Sequence, residues 1–240
     1  MTFNVIVVGC GGTGSAFLQK LARYQAASDA NIIVTIIDGD KVERKNLKRQ
    51  MFFEDSIGEF KAKELANLAA DCYGEEWNYV PEYLLDTKLI NKINSASTSY
   101  QRVDILVGCV DNHAARRVME SWFDSQNNCI YIDSANDEYD GEVVVAVKAG
   151  GMEISPRRSH YFKDVLTDDS PSVVEESCEV RNQSSPQHQC TNDMAANIVM
   201  SVVSQIFENK VCTGLILFNV KDLMIRRFPF ESGDEQYDNR

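Results

Sequence analysis

Gly9, Gly11 and Gly14 stand in the order G-x-G-x-x-G within FNVIVVGCGGTGS, directly after an apolar run. Such a turn lets backbone approach a phosphate closely and aims the free N–H groups of a following helix at it. Asp38 and Asp40 close a second apolar run, NIIVTIID, where an acidic side chain can accept hydrogen bonds from ribose hydroxyls. Together these residues describe a nucleotide site. Taken alone, they suit an NAD(P)-dependent oxidoreductase as well as an enzyme that uses ATP, and a glycine turn with no ligand is the plainer alternative. Gly12 and Ser15 are left over, because dinucleotide binding demands neither.

The following stretch discriminates. DGDKVERKNLKRQ packs Lys41, Arg44, Lys45, Lys48 and Arg49 beside the candidate ribose carboxylate. A dehydrogenase needs at most one cation there, for a 2′-phosphate. Lys61 follows in GEFK. Asp111, in CVDN, closes a third apolar run at the carboxyl edge of the sheet, where α/β ligands bind. Singly, each aspartate is also a plausible helix cap and each cation a solvated surface charge.

GCGGTGS, DGDKVERKNLKRQ, GEFK and CVDN resemble, in order and spacing, the four nucleotide-site motifs of the ThiF/MoeB/HesA family, relatives of the ubiquitin-activating enzymes. The resemblance covers Val5 to Asn112. It implies adenylation, with ATP and Mg2+, of the C-terminal carboxylate of a ubiquitin-like or sulfur-carrier protein, or in some branches of a small molecule or tRNA base. It carries Asp38, with Asp40 beside it, onto the ribose; Asn46, Arg49 and Gln50 onto N-x-x-R-Q; and Lys61 onto a phosphate-binding lysine. Asp111, next to Asn112, falls on the magnesium-linked aspartate, and Gly9, Gly11, Gly12 and Gly14 form the floor under the nucleotide. Arg49 would hold polyphosphate as a planar fork and Lys61 as a point charge. Lys63 is the rival to Lys61, on another helical face. The resemblance also implies a homodimer and, for some members, a downstream conjugating or sulfur-transfer partner. An inactive scaffold of the same family is the second rival reading, opposed by the presence of Arg49, Lys61 and Asp111. The family's paired C-x-x-C motifs are absent, so no zinc is expected. The helix that donates an arginine across the dimer in several relatives is also not found ahead of Phe3, which leaves that contribution open.

Family members that pass the acyl group onward do so through a cysteine, and Cys178 and Cys190 stand in the corresponding region. A helix N-terminus lowers a thiol pKa, which favours Cys190 ahead of the helix at Met194, whereas acidic neighbours raise that of Cys178. A structural thiol is the plainer role for each. Cys10, Cys72, Cys109, Cys129 and Cys212 read as structural, and seven cysteines with no C-x-x-C pair fit a reducing compartment. His113 reads as a helix-start residue, and His160 and His188 do not form a metal pair.

These residues need a frame. Continuous apolar strands alternating with helices predict an α/β, Rossmann-like fold: a mostly parallel mixed sheet with helices on both faces and antiparallel C-terminal strands. The expected order is a strand over Phe3 to Val8, a helix from Ser15 to Ala27, a strand from Asn31 to Asp38 and a helix from Ile57 to Cys72. A short strand from Trp77 to Tyr83 and a helix from Lys88 to Ser95 precede the strand Val103 to Asp111 and the helix His113 to Ser125. The strands CIYIDSA and GEVVVAV, a helix MAANIVMSVVSQIF, and a pair GLILFNV and LMIRRF complete it. A single domain over residues 1–230 is expected, with a long mobile loop over 150–190 and a disordered acidic tail over 231–240. The net charge of −12 argues against nucleic-acid binding. No apolar run is long enough for a membrane span, and a strand starting at Phe3 leaves no room for a signal peptide, so a cytoplasmic location is expected.

Overall fold

Burial on both faces forces the apolar runs into the middle of a sheet, and the chain does place them there. The computed structural model describes residues 1–96, 102–168 and 188–230. β1 (Thr2–Val8) is buried along its whole length and runs through the glycine turn into α1 (Gly12–Ala26). Then come β2 (Asn31–Ile37), α2 (Lys61–Tyr73), β3 (Asn78–Val80), α3 (Thr87–Ala96), β4 (Arg102–Gly108) and α4 (His113–Ser125). β5 (Cys129–Asn136) and β6 (Asp140–Ala149) form a hairpin. β7 (Met152–Ser155), α5 (Arg158–Tyr161), α6 (Asp164–Thr167), α7 (Gln189–Phe207), β8 (Gly214–Asn219) and β9 (Met224–Phe228) complete the order.

The sheet runs β3-β2-β1-β4-β5-β6-β8-β9, with β7 paired to β6. β1 to β5 are parallel, and β6 to β9 join antiparallel. Phe17, Leu18 and Leu21 of α1, Leu65 of α2 and Val199 and Val202 of α7 pack on one face. Ile90 of α3 and Met119, Trp122 and Phe123 of α4 pack on the other. This is the mixed, doubly covered α/β sheet with antiparallel C-terminal strands that the sequence predicts.

Boundaries shift elsewhere as well, β4 ending at Gly108 rather than Asp111 and β3 at Val80 rather than Tyr83, but three differences have a local reason. α2 begins at Lys61 rather than Ile57, because residues 57–60 are held away from helix geometry: Phe60 bridges Lys41, Val42 N donates to Glu59 O at 2.8 Å, and Lys61 N donates to Asp40 O at 2.9 Å. α7 begins at Gln189 rather than Met194, with His188 Nδ1 accepting from Cys190 N at 3.2 Å as a cap. The segment expected as a loop from residue 150 is instead built into the fold as β7, α5 and α6. Its anchors are polar: Ser155 Oγ donates to Val145 O at 2.6 Å and accepts from Gly214 N at 2.9 Å, and Arg158 is only 3% exposed. Four-residue helices held this way show no 3.6-residue apolar period to read. Residues 169–187, with Cys178, and the tail from 231 lie outside the described residues.

Candidate functional site

β1 has β2 and then β3 on one side and β4 and then β5 on the other, so the strand order reverses beside it; open α/β sheets bind ligands at the carboxyl ends of the strands at such a point. A cavity of about 840 Å³ opens there, bordered by the glycine turn, the Asp38 to Gln50 segment, the chain after β3, the start of α4 and the β5–β6 corner.

A side chain built on Gly11 would meet nothing within 4 Å, so this position faces open cleft with room for a ligand against the backbone. Gly12 is the reverse case: any Cβ there would overlap the Asn192 amide of α7. Asn192 Oδ1 accepts from Asn136 Nδ2 at 3.0 Å, and Thr13 Oγ1 lies 3.1 Å from Asn136 Oδ1 and 3.3 Å from Asn192 Oδ1. Gly12 is therefore the contact at which α7 and the β5 end lock the turn. Ser15 Oγ donates to Gly12 O at 3.3 Å and accepts from Met51 N at 3.2 Å, tying the turn to the basic segment. Gly9, with φ +96°, lines the cleft, whereas Gly14 packs α1 onto the turn behind it.

Asp38 Oδ2 accepts from Cys10 N at 2.5 Å and Oδ1 from Asp40 N at 2.7 Å. Burial pushes its carboxyl up to about 6, against the pull of Lys61. A carboxyl raised in the fold takes up its proton more readily there than in the unfolded chain, whose value is near 4. Its contribution to stability is full below that value and is lost as pH rises through about 6. Asp38→Asn has no such titration. The stability of the parent relative to this variant should fall across that window, read as urea midpoints of the two proteins at stepped pH.

Asp40 Oδ2 pairs with Lys61 Nζ at 2.9 Å, and Asp40 Oδ1 accepts from Tyr83 OH at 2.5 Å. Burial works to lower the Lys61 pKa, but Asp38 and Asp40 outweigh it and hold it above its ordinary value. Lys63 points elsewhere, exposed and bonded to Glu59 at 2.8 Å. Arg49 borders the cleft, exposed, and its side chain has no partner among the described residues. Lys41 and Lys45 border it too, whereas Arg44 and Lys48 do not. Asn46 is buried, its Oδ1 accepting from Glu43 N at 2.7 Å to cap the short turn that carries Arg49, and the buried Gln50 Oε1 has no hydrogen-bond partner. Asp111 is exposed on the cleft, and Asn112 beside it is engaged as the N-cap of α4, accepting from Ala115 N at 2.8 Å. Cys190 lies exposed in the first turn of α7 and does not border the cleft. Cys10 and Cys109 are buried at the turn, which pushes both thiols up, Cys109 to about 12.

Sequence reasoning missed the far wall. Asp133, fully buried within β5 where its pairing with β4 stops, has Arg116 Nε at 3.5 Å and Arg158 Nε at 3.6 Å; Arg158 Nη2 donates to Glu142, and Arg116 Nη2 donates to Val110 O at 2.7 Å. His113 Nε2 stands 3.5 Å from Asp164, tying α4 to α6, and burial with nearby Arg116 lowers its pKa. One signal was available: Asp133 is a carboxylate inside the apolar strand run CIYIDSA, where an unpaired charge would be costly. Tyr83 carried none, because it follows a three-residue strand with no motif around it.

Among the described residues no group of three or more His, Cys, Asp and Glu side chains is placed to hold a metal, and no helix is long and apolar enough to cross a membrane. The chain is 28% identical over 129 residues to Ubiquitin-activating enzyme E1 2 of Triticum aestivum, covering 53% of this chain and 12% of that one. It is 30% identical over 135 residues to Ubiquitin-like modifier-activating enzyme 5 of Bombyx mori, covering 51% and 33%. The solved structure of E. coli MccB with AMPCPP and MccA matches 94% of this chain and 63% of that one, with a TM-score of 0.68 at 17% identity. The chain thus spans a minor part of these curated relatives and just under two thirds of a structure that shares its fold. The model of the ThiF family matches residues 1–239, nearly the whole sequence, and so takes in the glycine turn, the basic segment, Asp111 and the far wall together: the chain belongs to the ThiF family.

Proposed function

We propose that the protein adenylates a carboxylate with ATP, and that the carboxylate is the C-terminal glycine of a ubiquitin-like or sulfur-carrier protein. The observation that carries this reading is that Arg49, whose side chain has no partner among the described residues, and the anchored Lys61 border the same cleft as the open backbone at Gly11. Two cations around a phosphate cradle suit a triphosphate, whereas a nicotinamide dinucleotide needs at most one there, for a 2′-phosphate. A carboxylate oxygen attacks the α-phosphorus, an O–P bond forms, and the bond to pyrophosphate breaks with its electron pair leaving on pyrophosphate. The chain need supply no nucleophile; Arg49 and Lys61 stabilise the charge that grows on the leaving group. Asp38 orients the ribose. Asp111, an exposed carboxylate on the cleft, suits Mg2+, which takes one or two protein carboxylates with phosphate and water oxygens. When bound, that ion would neutralise phosphate charge. We place the homodimer and a transfer partner with the same reading, as properties of activating enzymes of this kind.

ATP–pyrophosphate exchange, measured with candidate carriers encoded beside this gene, is the test. Exchange that depends on one carrier, together with binding of ATP and not NADH, is the expected result. Absence of exchange with tight NADH binding would replace the reading with the oxidoreductase one. Replacing Cys190 and Cys178 singly should leave exchange intact. If the enzyme carries the acyl group onward, one of the two should also abolish a thiol-sensitive adduct.

A further inference from the structure

Lys61 reaches the cleft with its charge already committed. Its Nζ is bonded to Asp40 at 2.9 Å, its side chain is 7% exposed, and Asp38 stands near enough to act on it as well. Two carboxylates therefore act on one ammonium, and an anionic group that approaches Lys61 also comes near Asp40, which is bonded to it and borders the same cleft. Repulsion from an unrestrained Asp40 would oppose a polyphosphate directly.

Tyr83 acts on that carboxylate from the other side. Its hydroxyl donates to Asp40 Oδ1 at 2.5 Å, opposite the oxygen held by Lys61. The ring also packs against Gly39: a Cβ on that residue would come within 2.8 to 2.9 Å of three ring carbons. Tyr83 thus borders the same cleft and delivers an O–H to one oxygen of one carboxylate. A hydrogen bond to an ionised acceptor draws off negative charge and fixes the orientation of the group.

We propose that Tyr83 is a positioning residue for nucleotide binding, restraining Asp40 so that Lys61 stays oriented to the cleft and the carboxylate is turned from the incoming phosphates. The inference rests on the adenylation reading above. Tyr83 acts through Asp40, and its effect belongs to the charged tail of the nucleotide, not to the nucleoside.

Tyr83→Phe keeps the ring against Gly39 and removes only the hydroxyl. ATP and adenosine affinities are measured by calorimetry on the parent, Tyr83→Phe, Asp40→Asn and the double variant. The expected result is ATP binding weakened roughly three- to tenfold in Tyr83→Phe, the range of one hydrogen bond, with adenosine binding unchanged. Measured against Asp40→Asn itself, at whatever ATP affinity that variant shows, the added Tyr83→Phe change should have no further effect, because residues acting through one another are not additive. Equal loss of ATP and adenosine, no loss of either, or a full Tyr83→Phe effect in the Asp40→Asn background each overturns the inference. So does loss of all ATP binding in Asp40→Asn alone, since the carboxylate would then be a ligand and not a restraint. A parent protein that binds no ATP overturns the proposed function, and this inference with it; a parent that binds ATP while Tyr83→Phe matches it overturns the inference alone.

Discussion

Arg49→Ala should lower the rate of carrier-dependent ATP–pyrophosphate exchange by about 100- to 1,000-fold, the cost of removing one preorganised group that stabilises charge developing in a transition state. The variant should melt with the parent. Arg49 is exposed and its side chain has no partner among the described residues, so truncation breaks nothing in the fold. Arg49→Lys should recover only part of the rate, because an ammonium lacks the planar fork that meets two phosphate oxygens at once. Lys61→Ala differs in kind. It removes a side chain 7% exposed and leaves Asp40 and Asp38 without their common cation, so it should lower both activity and melting temperature. The contrast between a rate effect without a stability effect at Arg49 and a joint effect at Lys61 checks the geometry of the site. Equal destabilisation by the two, or exchange that persists in Arg49→Ala, would remove Arg49 from the reaction.

How far this site could be read from sequence depends on what held each residue in place. The glycine turn, Asp38, Arg49, Lys61 and Asp111 come from contiguous motifs, and the strand ends that carry them follow from apolar runs. The purposes of Gly12 and Ser15 were not legible, because both depend on distant partners: Asn192, from α7, packs on Gly12, and Met51 donates to Ser15. Asn46 and Asn112 show the opposite limit. Each sits inside a motif that suggests ligand contact, yet each side-chain oxygen is engaged by a local backbone N–H, one capping the turn before Arg49 and the other capping α4. Tyr83 and the far-wall arginines lie where chain segments meet only through the tertiary fold. The segment after β6 was misread for a related reason: its order comes from Ser155, Arg158 and other polar contacts, which leave no period in the sequence.

Those polar contacts set the largest stability effect expected in the molecule. Asp133 is fully buried, and among the described residues the cations nearest it are Arg116 and Arg158, themselves 5% and 3% exposed. Glu142 neutralises one guanidinium; Asp133 is the counter-charge for the other. Replacing it by alanine leaves two buried guanidinium groups facing one carboxylate, and removing one partner of a buried ionic set costs about 3 to 5 kcal/mol. Neither arginine can shed its proton to escape, since guanidinium stays charged in proteins. Arg158→Met should cost less, because Asp133 keeps Arg116 and the half-buried Glu142 can turn to water. Urea denaturation of the two variants orders them: Asp133→Ala well below Arg158→Met, which lies below the parent. The reverse order would mean that Glu142, and not Asp133, is the carboxylate on which this wall of the cleft depends.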